Sequence, residues 1–146
     1  MVEQLKRWDD LTPMDVYEIL RLRSEVFVVE QQCVYQDLDG KDQKSSHVLF
    51  WENQNLVAYC RILPPGISYK EISIGRVVVS PNCRNQGIGS KLTQYTIQKI
   101  NEMYGDEPIR ISAQSHLEKF YSQFGFQSTR KEYLEDGIPH SEMLRS

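Results

Sequence analysis

Apolar positions recur at helical spacing in three stretches of the chain and alternate or cluster in the others. In "PMDVYEILRLRSEVFVV", Val16, Ile19, Leu20, Val26 and Phe27 fall near the repeat of an amphipathic helix. Thr12 is its expected N-cap, with Pro13 at the first helical position and Asp15 in the first turn. The helix should run from about Pro13 to the late twenties, although its end, "VFVV", suits an extended segment equally well. A polar, acidic loop, "YQDLDGKDQKSS", follows. "HVLFWENQNLVAYCRILPP" predicts two strands around an Asn-Gln-Asn turn, the second closed by Pro64-Pro65-Gly66. "EISIGRVVVS" is a strand rich in β-branched residues. Ile88, Leu92, Tyr95, Thr96, Ile100 and Met103 then mark one face of a helix ending near Gly105. "PIRISAQ" predicts another strand, and "HLEKFYSQF" a short helix stopped by Gly125. "FQSTRKEYLEDGIPHSEMLRS" predicts two short strands around Asp136-Gly137. The resulting order, β-α-β-β-β-α-β-α-β-β, describes a mixed α/β (α+β) domain spanning 1–146, without repeats or an interdomain linker.

The bulk composition narrows the function classes. At 146 residues, 40% hydrophobic and 25% charged, the chain has the size and make-up of one globular domain. A net charge of -3 gives no general affinity for nucleic acid or an anionic membrane, so any phosphate site has to be local. Cys33, Cys60 and Cys83 are odd in number, widely spaced and form no CxxC pair. They are expected to be reduced thiols of a cytoplasmic protein without a structural metal. "MVEQLKRWDDL" is too polar for a signal peptide, and no apolar run approaches the ~20 residues of a membrane span. Asp37, Asp39 and Asp42 alternate as Ca²⁺ ligands can, but the twelfth position from Asp37 is Val48 where an EF-hand needs glutamate. A solvated turn built on Asp39-Gly40 is the simpler expectation. Phe50, Trp51 and Tyr59 are expected in the core or in the wall of a cleft.

One stretch carries more chemistry than the rest. In "VVVSPNCRNQGIGSKL", residues 77–92, a strand runs through a turn into Arg84, Asn85, Gln86, Gly87, Ile88, Gly89 and a helix opening near Ser90. Glycine costs backbone entropy, so a pair of them in a short loop points to special φ/ψ or to a close approach of something bulky. A loop entering a helix N-terminus offers unpaired amides and the positive end of the helix dipole to an anion. Arg84 would add a charge-assisted hydrogen bond. The spacing is neither G-x-G-x-x-G nor G-x-x-x-x-G-K-[ST]. An ordinary strand-to-helix connection of this composition is equally compatible with the loop alone.

The wider context separates the two. R-x-x-G-x-G after "VVVSP" resembles motif A of the GNAT superfamily of N-acetyltransferases, and "IRISAQSHLEKFYSQFGF" resembles its motif B. "VFVVEQ", "YQDLDGKD", "LVAYCRIL", "IGRVVVS" and "DGIPHSEM" look like the ElaA-type branch, so the resemblance covers nearly the whole chain. It implies the GNAT acyl-CoA fold, a mixed sheet whose two parallel strands splay to form an acetyl-CoA cleft. The backbone of Val77, Val78 and Val79 would bond the pantetheine arm, and an amide there would polarise the thioester carbonyl. The amides from Gln86 to Ser90 would receive the pyrophosphate, with Arg84 at the mouth of the loop. Tyr121 matches the tyrosine that protonates the departing thiolate; a core tyrosine is the bland alternative. Gln114 stands where many relatives carry asparagine. The proton acceptor is a water chain or one of Glu30, His140, His47 and His116, with Glu30 and His140 foremost. Arg76 is a solvent-side strand arginine or, as part of the branch motif "IGRVVV", a residue near the acyl group or an acidic substrate.

The resemblance thus implies transfer of an acetyl group from acetyl-CoA to a primary amine of an unidentified small molecule or peptide, by a monomer or homodimer. The alternatives are a silent acyl-CoA sensor on the same fold and an acyl-homoserine-lactone synthase. The tight glycine loop argues against the latter.

Overall fold

Thr12 closes a capping box at the start of the first helix: its Oγ1 accepts from the Asp15 amide, and Asp15 Oδ2 accepts from the Thr12 amide, both at 3.0 Å. The computed structural model describes residues 1–146. In chain order the elements are β1 (Val2–Arg7), α1 (Pro13–Arg23), a π-helix (Ser24–Glu30), β2 (Ser46–Glu52), β3 (Asn55–Leu63), β4 (Ser73–Val79), α2 (Ile88–Tyr104), β5 (Ile109–Gln114), α3 (Glu118–Ser122), β6 (Phe126–Glu135) and β7 (Ile138–Arg145). "VFVV" is therefore helical, in a π-turn rather than extended. The last two strands are ten and eight residues long rather than short. They turn on Asp136-Gly137, both at positive φ as a two-residue hairpin requires.

The strands form two sheets. β1-β2-β3-β4 is antiparallel throughout, and β5-β7-β6 places the last strand between the two before it. β2 and β3 are apolar on both faces because both are covered. Val48, Phe50, Ala58, Cys60 and Ile62 pack towards α2 through Ile88, Leu92, Ile97 and Ile100, in one core with Ile109 and Ile111 of β5. On the other face, Leu49, Leu56, Tyr59 and Val78 pack against Ile19, Leu22 and Val26. Phe50 and Tyr59 are core residues, whereas Trp51 is half-buried and donates to Gln4 Oε1. Met103 is exposed, and the buried face of α2 runs instead through Thr93 and Ile97. No helix is long and apolar enough to cross a membrane.

The acidic loop is not a solvated turn. Asp37 and Asp42 are buried, and fully buried Arg23 bonds Asp37 Oδ2 and Asp42 Oδ1, each at 2.8 Å. Arg61 adds bonds to Asp39 Oδ2 at 2.6 Å and Asp42 Oδ1 at 2.9 Å. The carboxylates are thus taken up by arginines.

Candidate functional site

β4 ends the first sheet and β5 begins the second. They run parallel and touch only near their starts, where Ile72 bridges Ile109 and the Arg110 amide donates to the Ile72 carbonyl at 2.9 Å. Beyond that point no ladder joins them, and the gap opens into a cavity of about 750 Å³. β4 also carries a bulge. Tyr59 pairs with Val78 and Arg61 with Gly75, so Arg76 and Val77 together oppose Cys60. Arg76 takes the left-handed conformation at φ 52°, which kinks the strand beside the cavity. Val77, Val78 and Val79 follow the kink and line the cavity. As an edge, this stretch of β4 offers main-chain groups to a ligand in the way a sheet offers them to another strand.

The glycine loop closes one end. Asn85 at φ 64° and Gly87 at φ 76° are left-handed, and Gly87 is the N-cap of α2. The amides from Gln86 to Ser90 find no acceptor within the chain. They stand at the positive end of a 17-residue helix. The two glycines serve different ends. Gly87 is needed for its φ, whereas a Cβ at Gly89 would meet only Phe120 at 3.7 Å and Val79 at 3.8 Å, ordinary contacts. Arg84, Asn85, Gly87, Ile88, Gly89 and Gln114 line the cavity, but Gln86 and Ser90 do not.

Tyr121 comes up from α3 into the same space. Its ring is held edge-on by Phe120 and Phe126, with centroids at 5.1 and 5.9 Å. Its hydroxyl makes no hydrogen bond within the chain, and burial pushes the phenol well above its ordinary range, so it is neutral and available as a donor. The candidate bases part company. His47 is buried away from the cavity; its Nε2 lies 2.9 Å from the Asp42 carbonyl and its Nδ1 2.6 Å from the Tyr59 hydroxyl. A carbonyl only accepts, so Nε2 donates to it, while the Tyr59 hydroxyl can serve Nδ1 as donor or acceptor. Burial lowers the proton affinity of the ring and favours its neutral form. Glu30, His116 and His140 do line the cavity. His140 is buried, with Nδ1 donating to the Ile138 carbonyl at 2.7 Å and Nε2 3.3 Å from Glu135 Oε2. Glu30 is paired with Arg84, which holds its carboxyl below the usual carboxylate range.

Arg76 is not a solvent-side arginine. Its Nε lies 2.8 Å from Asp37 Oδ1, its Nη2 donates to the Asp37 carbonyl at 2.9 Å, and its guanidinium sits 5.7 Å over the Tyr35 ring. Tyr35 in turn donates to Asp37 Oδ1 at 2.7 Å. Arg76 and Tyr35 therefore form a wall of the cavity that sequence reasoning did not assemble. On the facing side Tyr133 bonds Ser112 and stacks on His140. The Asp136 carbonyl accepts from Cys33 Sγ at 3.4 Å, tying the β6–β7 turn to the turn that follows the π-helix.

A family model for the acetyltransferase (GNAT) domain matches residues 9–146. The chain belongs to the GNAT family. Protein ElaA of Escherichia coli is 43% identical over 138 residues, covering 93% of this chain and 90% of its own. The crystal structure of that ElaA is 40% identical and superposes with a TM-score of 0.93 over 99% of each chain. A crystal structure of an acyl-CoA N-acyltransferase from Pseudomonas aeruginosa is also 40% identical, with a TM-score of 0.95 over 100% of both chains. A GNAT family acetyltransferase from Elizabethkingia anophelis, solved with acetyl-CoA bound, shares the fold at 16% identity and a TM-score of 0.65, over 99% of this chain and 97% of its own. This chain is a GNAT-family N-acyltransferase of the ElaA-like type.

Proposed function

We propose that the protein transfers an acetyl group from acetyl-CoA directly to a primary amine. The observation that carries this reading is convergence: the free edge of β4, Gly87, Ile88 and Gly89 with their unpaired amides, and Tyr121 all border one cavity. Main-chain groups of Val77–Val79 bond the pantetheine arm, and an amide of this stretch polarises the thioester carbonyl, where fixed donors stabilise a developing oxyanion. The loop from Arg84 to Ser90 takes the pyrophosphate, and Gln114 borders the arm from β5. The amine nitrogen forms its bond to the acyl carbon as the C–S bond breaks. Tyr121 gives its proton to the departing sulfur. Water, or His140 once Glu135 is displaced from Nε2, takes the proton that the amine sheds. The acceptor is a small molecule or a peptide amine. The protein works as one domain, monomeric or homodimeric, in the cytoplasm, where its three free thiols stay reduced.

Calorimetric titration with acetyl-CoA, with Gly89→Glu beside the wild type, tests the donor half. A Cβ fits at Gly89, and a carboxylate in the first turn suits the helix dipole, so the variant keeps its fold while repelling phosphate. Micromolar binding by the wild type, weakened about tenfold or more in the variant, is the expected result. Equal affinities would remove the loop from the donor site. Thiol release across a panel of amines then tests transfer, and binding without release with any of them would favour a sensor.

A further inference from the structure

Arg84 and Glu30 meet across one end of the cavity, from the glycine loop and from the last residue of the π-helix. Arg84 Nη1 donates to Glu30 Oε2 and Nη2 to Oε1, both at 2.7 Å, a bidentate fork. Nη2 also reaches the Val79 carbonyl at 3.3 Å. The edge of the guanidinium that would chelate a phosphate is therefore filled by a carboxylate of the same chain. The pairing is built by the wide turn before it. The amides of Gln31 and Cys33 donate five residues back, to the Val26 and Val28 carbonyls at 3.1 Å. That turn buries Val26 in the core and leaves Glu30 at the rim. The pair is 40% exposed on both sides, so it is weak enough to exchange.

We propose that Glu30 is a stand-in anion that holds Arg84 in the free protein and competes with the phosphates of the acyl donor for it. Donor binding swaps one ion pair for another, and the displaced carboxylate is left in the cavity. This inference rests on the reading of the glycine loop as the phosphate site. It also gives Glu30 a role in the donor-free protein that is distinct from that of a proton acceptor.

The test is a double-mutant cycle in acetyl-CoA affinity, by calorimetry on wild type, Glu30→Gln, Arg84→Gln and the double variant, all on solvent-exposed side chains. Glu30→Gln is expected to bind acetyl-CoA about two- to five-fold tighter, the range of an exposed ion pair. Arg84→Gln is expected to bind more weakly, and the gain from Glu30→Gln to vanish in the Arg84→Gln background. A Glu30→Gln affinity equal to or below wild type, while Gly89→Glu abolishes binding, overturns the competition and leaves the loop assignment standing. Unchanged affinity in both Gly89→Glu and Arg84→Gln overturns the loop assignment beneath it.

Discussion

Tyr121 presents a neutral phenol to the cavity with its ring fixed by two aromatic neighbours and its oxygen uncommitted. Removing that oxygen takes away no internal hydrogen bond, so Tyr121→Phe should fold with a near-native thermal midpoint. Its turnover should fall by about a hundredfold or more, the usual contribution of a positioned acid, with acetyl-CoA affinity retained. Thiol release and calorimetry on the same preparation check both halves; wild-type turnover would make the residue packing alone. At this scale the sequence is legible where a special backbone needs glycine. Gly87 is left-handed where the loop turns into α2, and the loop could be found from it. Arg76 is the counterexample. The left-handed residue of the β4 bulge follows Gly75 rather than being it, so the glycine signal lies one position away from the kink. An arginine holds that conformation because its side chain is tied to Asp37 and Asp39.

The acidic loop shows what an element-level pattern misses. Asp37, Asp39 and Asp42 look hydrated in a run of polar residues, yet their arginine partners lie 14 to 39 residues away on α1, β3 and β4. Nothing local to the loop announces Arg23, Arg61 or Arg76. The helix end was ambiguous for a related reason: "VFVV" is apolar throughout, so no period separates a π-turn from a strand. The candidate site suffered similarly, because Tyr35 and Arg76 meet only through tertiary folding. Under this loop sits His47, held neutral by burial. An unfolded histidine binds a proton below about pH 6.5, and the folded one does so only at lower pH. The unfolded chain therefore carries the extra proton, and stability should fall as pH drops through about 6.5. Urea midpoints for wild type and His47→Gln check this. The variant should lose the slope between about pH 7 and pH 5.5, while Asp39 and Asp42, held below their ordinary range by Arg61 and Arg23, act in a more acidic window. An unchanged slope would place the titration elsewhere.

For the molecule as a whole, the element order was readable because each helix and most strands carry their own start and stop signals. Which strands pair was not. β1 joins β2 across the whole of α1 and the acidic loop, and β7 inserts between β5 and β6. Both pairings depend on partners far along the chain, so only resemblance to a family brought the splayed strands into view. The seam between the sheets bears on how the molecule forms. β2-β3-β4 and β6-β7 are joined by short connections, whereas the Ile72–Ile109 bridge closes a much longer segment that includes all of α2. Loop closure of that length is costly before the contact rewards it, so the bridge should form after the rate-limiting barrier. Ile72→Val and Ile109→Val, both at fully buried sites, should cost about 0.5–1.5 kcal/mol and express it as faster unfolding with nearly unchanged refolding in chevron plots. Slower refolding instead would put the seam in the nucleus. On this account the two sheets take shape first and dock last, and the cleft comes into being only in the final step of folding.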